Sequence, residues 1–240
     1  MVTDPGGLLL AIDTSNERCS AAVLDMATGA LLAKADPLIG KGHAELLMDV
    51  IATVLRSAEA TWSDLTKLAI GIGPGSFTGI RVAVATARGL EISLGIPSVG
   101  VTTLEAQAEP HRGDGRPVLA VHDARRGEVY AALFASDGRE LAPPEAMKPD
   151  RLPEFCAAFG IDPAGLGVVG TGAVIAANVL PGSLIMADDG ETSAPIEAIA
   201  RIGRLREPGA LPLPLYLRGA DAKHQVPAGL RAVVASAGPV

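Results

Sequence analysis

Aromatic residues and basic clusters are scarce in this sequence. Aromatics make up 3% of its 240 residues, so it offers few platforms on which unpaired bases could stack. The formal net charge is -7, which argues against a broad nucleic-acid surface because phosphate binding relies on clustered Lys and Arg. Any work on RNA would therefore depend on a partner.

The sequence contains only two cysteines and no recognisable targeting signal. Cys19 lies in a strand-like apolar run and Cys156 in a helix-like one, which suits buried thiols in a reducing compartment better than a disulfide framework. The first residues lack a basic region, and the apolar run at 8–12 is too short for a signal or a membrane span. We therefore expect a cytoplasmic protein without a membrane segment.

Catalytic metal ligands are also missing. No two of the four histidines lie three or four residues apart, so no helical ligand pair exists. The sequence has no Gly-x-Ser-x-Gly elbow, and neither cysteine has a nearby His to activate it. We expect neither a bound metal nor a catalytic residue. The four histidines are His43, His111, His122 and His224.

The sequence is rich in apolar residues, and their spacing predicts an α/β fold. Hydrophobic residues make up 48% of the chain and the mean hydropathy is +0.33, enough for one large core or two lobes. Apolar runs alternate with helical periodicity in the order βββαβα through the first half. The predicted strands are 8–13, 19–25, 30–35, 68–73 and one from 97, with helices at 43–59 and 78–94, the latter capped by Thr78.

The second half begins with a passage like the first. A strand ending in Asp13, a turn and a second strand have their counterpart in 119–123, a turn and 128–134, which predicts two lobes of related build. We place the lobes at 1–105 and 106–218, with a mobile tail at 219–240. The later elements are helix-like stretches at 150–159, 172–180 and 194–206, then an extended proline-rich connector from 208.

Two aspartates follow the first strand of each predicted lobe. If the lobes face each other, Asp13 and Asp123 would both look into the cleft, where carboxylates commonly hold hydrated Mg²⁺ on a nucleotide. Aspartate is also a good turn residue, so a structural role is open as well.

The glycine-rich segment from Gly73 to Gly79 is a candidate phosphate loop. Its glycines allow close approach to an anion, and the following helix start offers free N–H groups. No Lys follows as in a P-loop, and Ser76 stands where a GxGxxG pattern needs its last Gly, so a structural turn is equally open. The candidate nucleotide-binding residues, vestigial or shared with a partner, are Asp13, Ser15, Gly73, Gly75, Ser76, Thr78, Gly79 and Asp123.

The two long predicted helices carry more apolar surface than one sheet can cover. On the second helix, a stripe separate from the sheet-facing one contains small residues that let another helix come close, and the first helix is apolar over half its circumference. This favours a helix-mediated protein interface, although the C-terminal segment of the same chain could cover it. The predicted interface residues are Leu47, Val50, Val54, Val82, Ala85, Gly89 and Ile92.

Several motifs resemble the bacterial TsaB (YeaZ) family, and the resemblance spans about residues 8–218. The string Gly-Pro-Gly-Ser-Phe-Thr-Gly-Ile-Arg at 73–81 is close to diagnostic of that family. The other matching strings are Ala-Ile-Asp-Thr-Ser at 11–15, Cys-Ser-Ala-Ala-Val at 19–23, Gly-Val-Thr-Thr-Leu-Glu at 100–105, Asp-Ala-Arg-Arg-Gly-Glu-Val-Tyr at 123–130 and Leu-Tyr-Leu-Arg at 215–218.

The resemblance implies a two-lobed actin/Hsp70/sugar-kinase-like (ribonuclease-H-like) fold with a degenerate second lobe. It also implies a non-catalytic subunit needed to form N6-threonylcarbamoyladenosine at the tRNA adenosine next to the anticodon. The catalytic partner would be a TsaD-like subunit, joined by a TsaE-like ATPase, and tRNA would be contacted only through the complex. A homodimer is implied for the isolated chain. No cofactor is required, although ATP or ADP could lie at the subunit boundary.

Two other function classes compete with this interpretation. One is a small-molecule kinase or ATPase of the same fold, using Asp13 and Asp123 around Mg-ATP with Ser76 or Thr78 near the phosphates. The other is a homodimeric structural module. Phosphoryl transfer by the purified chain would favour the first, and the absence of any retained partner would favour the second.

Overall fold

Two five-stranded sheets of identical connectivity organise the residues described by the computed structural model, 6–186 and 194–218. In each sheet the first strand is central, antiparallel to the next strand of a hairpin on one side and parallel to a later strand on the other. The first sheet, in the order β3-β2-β1-β4-β5, contains β1 (Leu8–Asp13), β2 (Ser20–Asp25), β3 (Leu31–Ala35), β4 (Leu65–Gly71) and β5 (Ser98–Val101). The second, in the order β10-β9-β6-β7-β8, contains β6 (Val118–Arg125), β7 (Glu128–Phe134), β8 (Glu140–Met147), β9 (Gly167–Val169) and β10 (Leu184–Ile185).

Six α-helices cover these sheets within the described residues. Helices α1 and α2 lie on one face of the first sheet and α6 on the other. Helices α4 and α5 cover one face of the second sheet, while α3 packs on its opposite face and also contacts α6, so α3 joins the two lobes. The helices are α1 (His43–Ser57), α2 (Phe77–Leu94), α3 (Thr103–Ala108), α4 (Leu152–Ala157), α5 (Ala173–Ala177) and α6 (Ile196–Leu205).

The central strands are apolar on both sides because helices cover both sheet faces. In β1, Leu10 and Ile12 pack toward α1 and α2, whereas Leu9 and Ala11 pack toward α6. A strand buried on both faces reads as a continuous apolar run. The repeated strand order and the duplicated lobe confirm the predicted two-lobed, ribonuclease-H-like α/β fold, and the short α4 and α5 make the second lobe the degenerate one.

The helix after the glycine-rich loop begins earlier than predicted. Ser76, not Thr78, is its N-cap, since the Ser76 side chain accepts a hydrogen bond from the Gly79 amide at 3.2 Å. Thr78 lies in the first turn instead. Strand β4 also ends at Gly71, two residues before its predicted end, because the chain already turns at Gly73.

Helix α6 returns from the second half of the chain to the first sheet. Ile196 and Ile199 join the core cluster that contains Leu9 and Ala11. The Lys67 ammonium, from β4, donates to the carbonyl oxygens of the helix C-terminus, 3.3 Å away at Arg204. Part of the range 106–218 therefore lies on the first sheet, and the lobe boundaries at 105 and 218 remain predictions. The predicted tail at 219–240 lies outside the described residues.

In the described part of the chain, no helix combines the length and the apolar character that crossing a membrane requires.

Candidate functional site

A cleft of about 760 Å³ lies between the lobes. Its first-lobe wall is built from the β1–β2 turn, the loop before α1 and the start of α2, and its second-lobe wall from the end of β6 and from Tyr130 on β7. Of the predicted nucleotide-binding residues, Asp13 and Gly73 do not line it. Those that do are Ser15, Gly75, Ser76, Thr78, Gly79 and Asp123.

Asp13 lies behind the cleft wall rather than in the cleft. Its side chain is 2% exposed, and its carboxylate accepts hydrogen bonds from the Ser15 amide at 3.1 Å and the Ser15 hydroxyl at 3.0 Å. Burial raises the pKa of Asp13, and the Ser15 hydrogen bonds oppose that shift. A Cβ on Gly71 would overlap this carboxylate. The expectation that Asp13 and Asp123 both face the cleft is therefore wrong for Asp13, which buttresses the β1–β2 turn.

Asp123, the second-lobe counterpart, is exposed in the cleft. Its carboxylate accepts a hydrogen bond from the Arg125 amide at 2.7 Å, and its own amide donates to the Thr171 hydroxyl at 2.9 Å. The Thr171 hydroxyl also lies 3.2 Å from His122 Nδ1, and the His122 ring stacks on Tyr130 with centroids 6.5 Å apart. Burial lowers the pKa of His122, and the charge of Asp123 opposes that shift.

The glycine-rich loop packs against the turn that follows β1. The Ser76 amide donates to the Ser15 carbonyl at 2.6 Å, and the Thr14 hydroxyl donates to the Gly79 carbonyl at 2.7 Å. A Cβ at Gly75 would overlap the Ser15 carbonyl, and one at Gly79 would overlap the Thr14 carbonyl. These glycines are thus required by close backbone approach within the chain.

Two amides that a phosphate beside this loop would need already have acceptors within the chain. The Ser76 amide, which would face an anion, is bonded to a carbonyl, and the Gly79 amide is bonded to the Ser76 hydroxyl. The loop geometry therefore fits a structural turn that caps α2 and does not fit a phosphate cradle. ATP or ADP at a subunit boundary remains a prediction.

Several cleft residues were not predicted from the sequence. Lys41, His43 and Glu45 come from the loop before α1 and its first turn, and Arg125 comes from the second lobe. No local pattern marks Lys41, His43 and Glu45, whereas Arg125 lies in the matching string at 123–130. The Gly170–Gly172 loop, which carries Thr171, could have been found, because it follows β9 as the glycine-rich loop follows β4. Among the described residues, no group of three or more His, Cys, Asp and Glu side chains is placed to hold a metal ion.

The predicted partner face on α1 and α2 is only partly accessible. Leu47 and Val54 are 1% exposed and pack in the core beneath the helices, so including them in an outward-facing interface is wrong. They lie seven residues apart, close to two helical turns, and so share the arc of α1 that faces the sheet. The predicted residues that remain at least partly accessible are Val50, Val82, Ala85, Gly89 and Ile92.

Comparison with known proteins agrees with this architecture. The family model described as "TsaD: tRNA N6-adenosine threonylcarbamoyltransferase" matches residues 37–159, half of the chain. An uncharacterized protein of Mycobacterium tuberculosis is 32% identical over 216 residues, covering 90% of this chain and 93% of the relative. The tRNA threonylcarbamoyladenosine biosynthesis protein TsaB of Escherichia coli is 36% identical over 131 residues, 54% of this chain and 55% of that protein.

Solved structures show the same relationship. YeaZ from Pseudomonas aeruginosa superposes with a TM-score of 0.68 at 29% identity, covering 82% of this chain and 91% of that one. A second Pseudomonas aeruginosa structure, described as similar to peptidase YEAZ, gives a TM-score of 0.73 at 28% identity over 88% of this chain and all of that one. The chain belongs to the TsaB (YeaZ) family of tRNA threonylcarbamoyladenosine biosynthesis proteins.

Proposed function

We propose that this chain is a non-catalytic subunit of a cytoplasmic complex that forms N6-threonylcarbamoyladenosine next to the tRNA anticodon. It binds a TsaD-like catalytic subunit through the outer face of α1 and α2, and a TsaE-like ATPase joins the complex. Transfer RNA is contacted through the complex, as the net charge of -7 favours. The observation that carries the proposal is the apolar outer face of the two long helices, in a chain that belongs to this family.

The outer face of α2 is suited to a close helix crossing. Ala85 and Gly89 are exposed, and a Cβ built on Gly89 would meet no atom within 4 Å. Ile92 is 86% exposed, although a fully buried isoleucine side chain would gain about 1.5–3 kcal/mol. Small residues beside a large apolar one allow a second helix to approach and to cover that side chain.

The neighbouring helix α1 extends the same apolar surface. Leu46 and Met48 on α1 are exposed, and Val50 is partly buried against the core of the first lobe. Helices α1 and α2 contact each other over the same face of the first sheet, so the exposed apolar residues of both helices lie on one side of the first lobe. Contiguous exposed apolar patches of this kind mark protein interfaces. The same face would also serve self-association of the isolated chain.

The chemistry of the described residues supports the non-catalytic part of the proposal. Asp13 is buried and bonded to Ser15, so it is unavailable to a substrate in the cleft. Burial raises the pKa of Cys19 and of Cys156 to about 11, which keeps both as inert thiols at neutral pH. The reactive centre is therefore best supplied by the partner.

Substitution of Gly89 by Arg tests the interface. Gly89→Arg places a long charged side chain where a close helix crossing would desolvate it, so co-purification with the TsaD-like subunit should be lost. Ala157→Arg, which adds the same charge to exposed α4 in the second lobe, is the matched control and should co-purify normally. In cells depleted of this chain, mass spectrometry should show the modified nucleoside restored by Ala157→Arg and not by Gly89→Arg. Unchanged co-purification of a folded Gly89→Arg variant would refute the placement.

The kinase or ATPase alternative draws on the cleft, which Ser76 and Thr78 line from the first lobe and Asp123 from the second. It predicts phosphoryl transfer from ATP by the purified chain alone, reduced by Asp123→Asn. The subunit proposal predicts no turnover without the partner.

A further inference from the structure

The chain after α6 runs as a strap over residues 206–218, without helix or strand, back across the first lobe. Arg206 begins it, with its guanidinium bonded to the Gly100 carbonyl and paired with Glu105 on α3. Further along, the Leu215 amide donates to the Ile72 carbonyl at 2.9 Å, directly after β4. These contacts fix the strap along the β4–β5 edge of the first sheet.

The strap next contacts the start of α2. The Tyr216 hydroxyl accepts a hydrogen bond from Arg81 Nε at 2.8 Å, and the Tyr216 ring lies 5.1 Å from the Phe77 ring. The Arg81 guanidinium lies 3.8 Å above the centre of the Phe77 ring. Tyr216 is thus attached to the helix whose first residues line the cleft.

The last described residue of the strap reaches the second lobe. Arg218 forms an ion pair with Glu128 and donates to the Arg125 carbonyl at 3.1 Å. Its guanidinium lies 5.6 Å from the centre of the Tyr130 ring. Arg125 and Tyr130 line the cleft from the side opposite α2. Arg218 thus uses one guanidinium nitrogen, Nη2, for both the carboxylate of Glu128 and the carbonyl of Arg125, and its side chain is partly shielded from solvent, which makes it a firmer attachment than a single exposed ion pair.

The strap therefore joins the two walls of the cleft at a place separate from α3, which also links the lobes. We infer that residues 212–218 act as a tether that sets the opening of the cleft, with Arg218 as the attachment to the second lobe. Lobes in contact through α3 can rotate about that contact, whereas an attachment beside the cleft restrains the rotation. Pro212 and Pro214 restrict the backbone of the strap, so its end-to-end distance should change little when the lobes move.

Distances between spin labels on the two lobes test the tether in the full chain. Asp49→Cys on α1 and Ala157→Cys on α4 give exposed label sites, while Cys19 and Cys156 are buried and stay unlabelled. Arg218→Ala should broaden the distance distribution and lengthen its mean by about 2–5 Å, the scale of a hinge rearrangement. Glu128→Gln should change it in the same direction.

The control removes an ion pair that lies within one lobe. Lys34→Ala breaks the Lys34–Glu197 pair, which joins β3 to α6 on the first lobe, and should leave the distribution unchanged. Circular dichroism and urea denaturation establish that each labelled variant is folded. If folded Arg218→Ala and Glu128→Gln both keep the wild-type distribution, or if Lys34→Ala alters it equally, the tether does not exist.

Discussion

The two lobes share one sheet connectivity but differ in the helices laid over it. The first lobe covers its sheet with α1 and α2, which have 15 and 18 residues, whereas α4 and α5 of the second lobe have 6 and 5. The short helices suffice to bury the second sheet. The extra length in the first lobe therefore adds outer surface, and that surface carries the exposed Ile92. The two sheets, which have the same connectivity, form the common framework of the lobes. The long helices α1 and α2, which have no counterpart of equal length in the second lobe, form the proposed interface.

The ends of the central strands differ in a second way. Asp13 in the first lobe is buried against Gly71, while Asp123 in the second is exposed in the cleft. Equivalent positions in a duplicated fold thus carry different roles: one carboxylate organises a turn, and the other remains accessible. Three comparisons of matched substitutions can test this difference between the lobes.

The largest difference in stability is expected between glycine substitutions in the glycine-rich segments that follow β4 and β9. Gly79→Ala places a methyl group against the Thr14 backbone carbonyl, which cannot move aside, and should lower the free energy of unfolding by about 3 kcal/mol. Gly172→Ala in the second lobe meets the buried Val121 side chain at 2.6 Å and backbone atoms only at 3.2 Å or more, so it should cost less, about 1–2 kcal/mol. Urea denaturation measures both.

Gly89→Ala is the control for both variants. Its added methyl group points into open space on the same helix as Gly79, so the variant should be about 0.5–1 kcal/mol more stable than the wild type. Equal costs for Gly79→Ala and Gly172→Ala would show that the two loops are packed alike.

The next effect compares the two aspartates. Asp13→Ala leaves the buried amide and hydroxyl of Ser15 without their acceptor and should cost about 1–3 kcal/mol of unfolding free energy. Asp123→Ala removes an exposed carboxylate and should change stability by no more than about 0.5 kcal/mol. Thermal and urea denaturation check the pair. A larger loss for Asp123→Ala would reverse the roles we assign.

Much of the fold could be predicted from the sequence where local pattern and tertiary packing agree. The strands of the first lobe and the two long helices have the expected apolar spacing. The predicted strands do not include β8, which contains Pro143 and Pro144; proline is tolerated there because β8 lies at the edge of its sheet. Strands β9 and β10 have only 3 and 2 residues, too few for any periodic signal.

The site was less predictable because it depends on contacts between distant elements. Six of the eight candidate nucleotide-binding residues line the cleft, yet the burial of Asp13 depends on Gly71 in a neighbouring parallel strand. The apolar arc of α1 spans half its circumference, so periodicity alone could not decide that Leu47 and Val54 face the sheet. The return of α6 to the first lobe is likewise a long-range property with no local signal.

The smallest expected effect concerns pH, and it has opposite signs in the two lobes. Burial disfavours the charged form of each group, so it raises the pKa of Asp13 above its ordinary 3.8 and lowers that of His122 below its ordinary 6.5. Between pH 3.8 and the pKa in the folded protein, Asp13 keeps its proton in the folded protein but loses it in the unfolded chain. The contribution of this proton to the stability of the folded protein is therefore lost as pH rises through that range. For His122 the unfolded chain binds the proton first, so stability is lost as pH falls below 6.5.

Asp13→Asn and His122→Gln separate the two contributions, because each variant removes one titrating group while keeping a side chain of similar shape. Urea denaturation at a series of pH values measures the stability of the wild type minus that of each variant. This difference should fall with rising pH for Asp13→Asn and fall with declining pH, from about 7 toward 5, for His122→Gln. Each shift is opposed in part, by the Ser15 hydrogen bonds at Asp13 and by the Asp123 charge at His122. Differences that change in the same sense for both variants would mean that burial does not dominate at both strand ends.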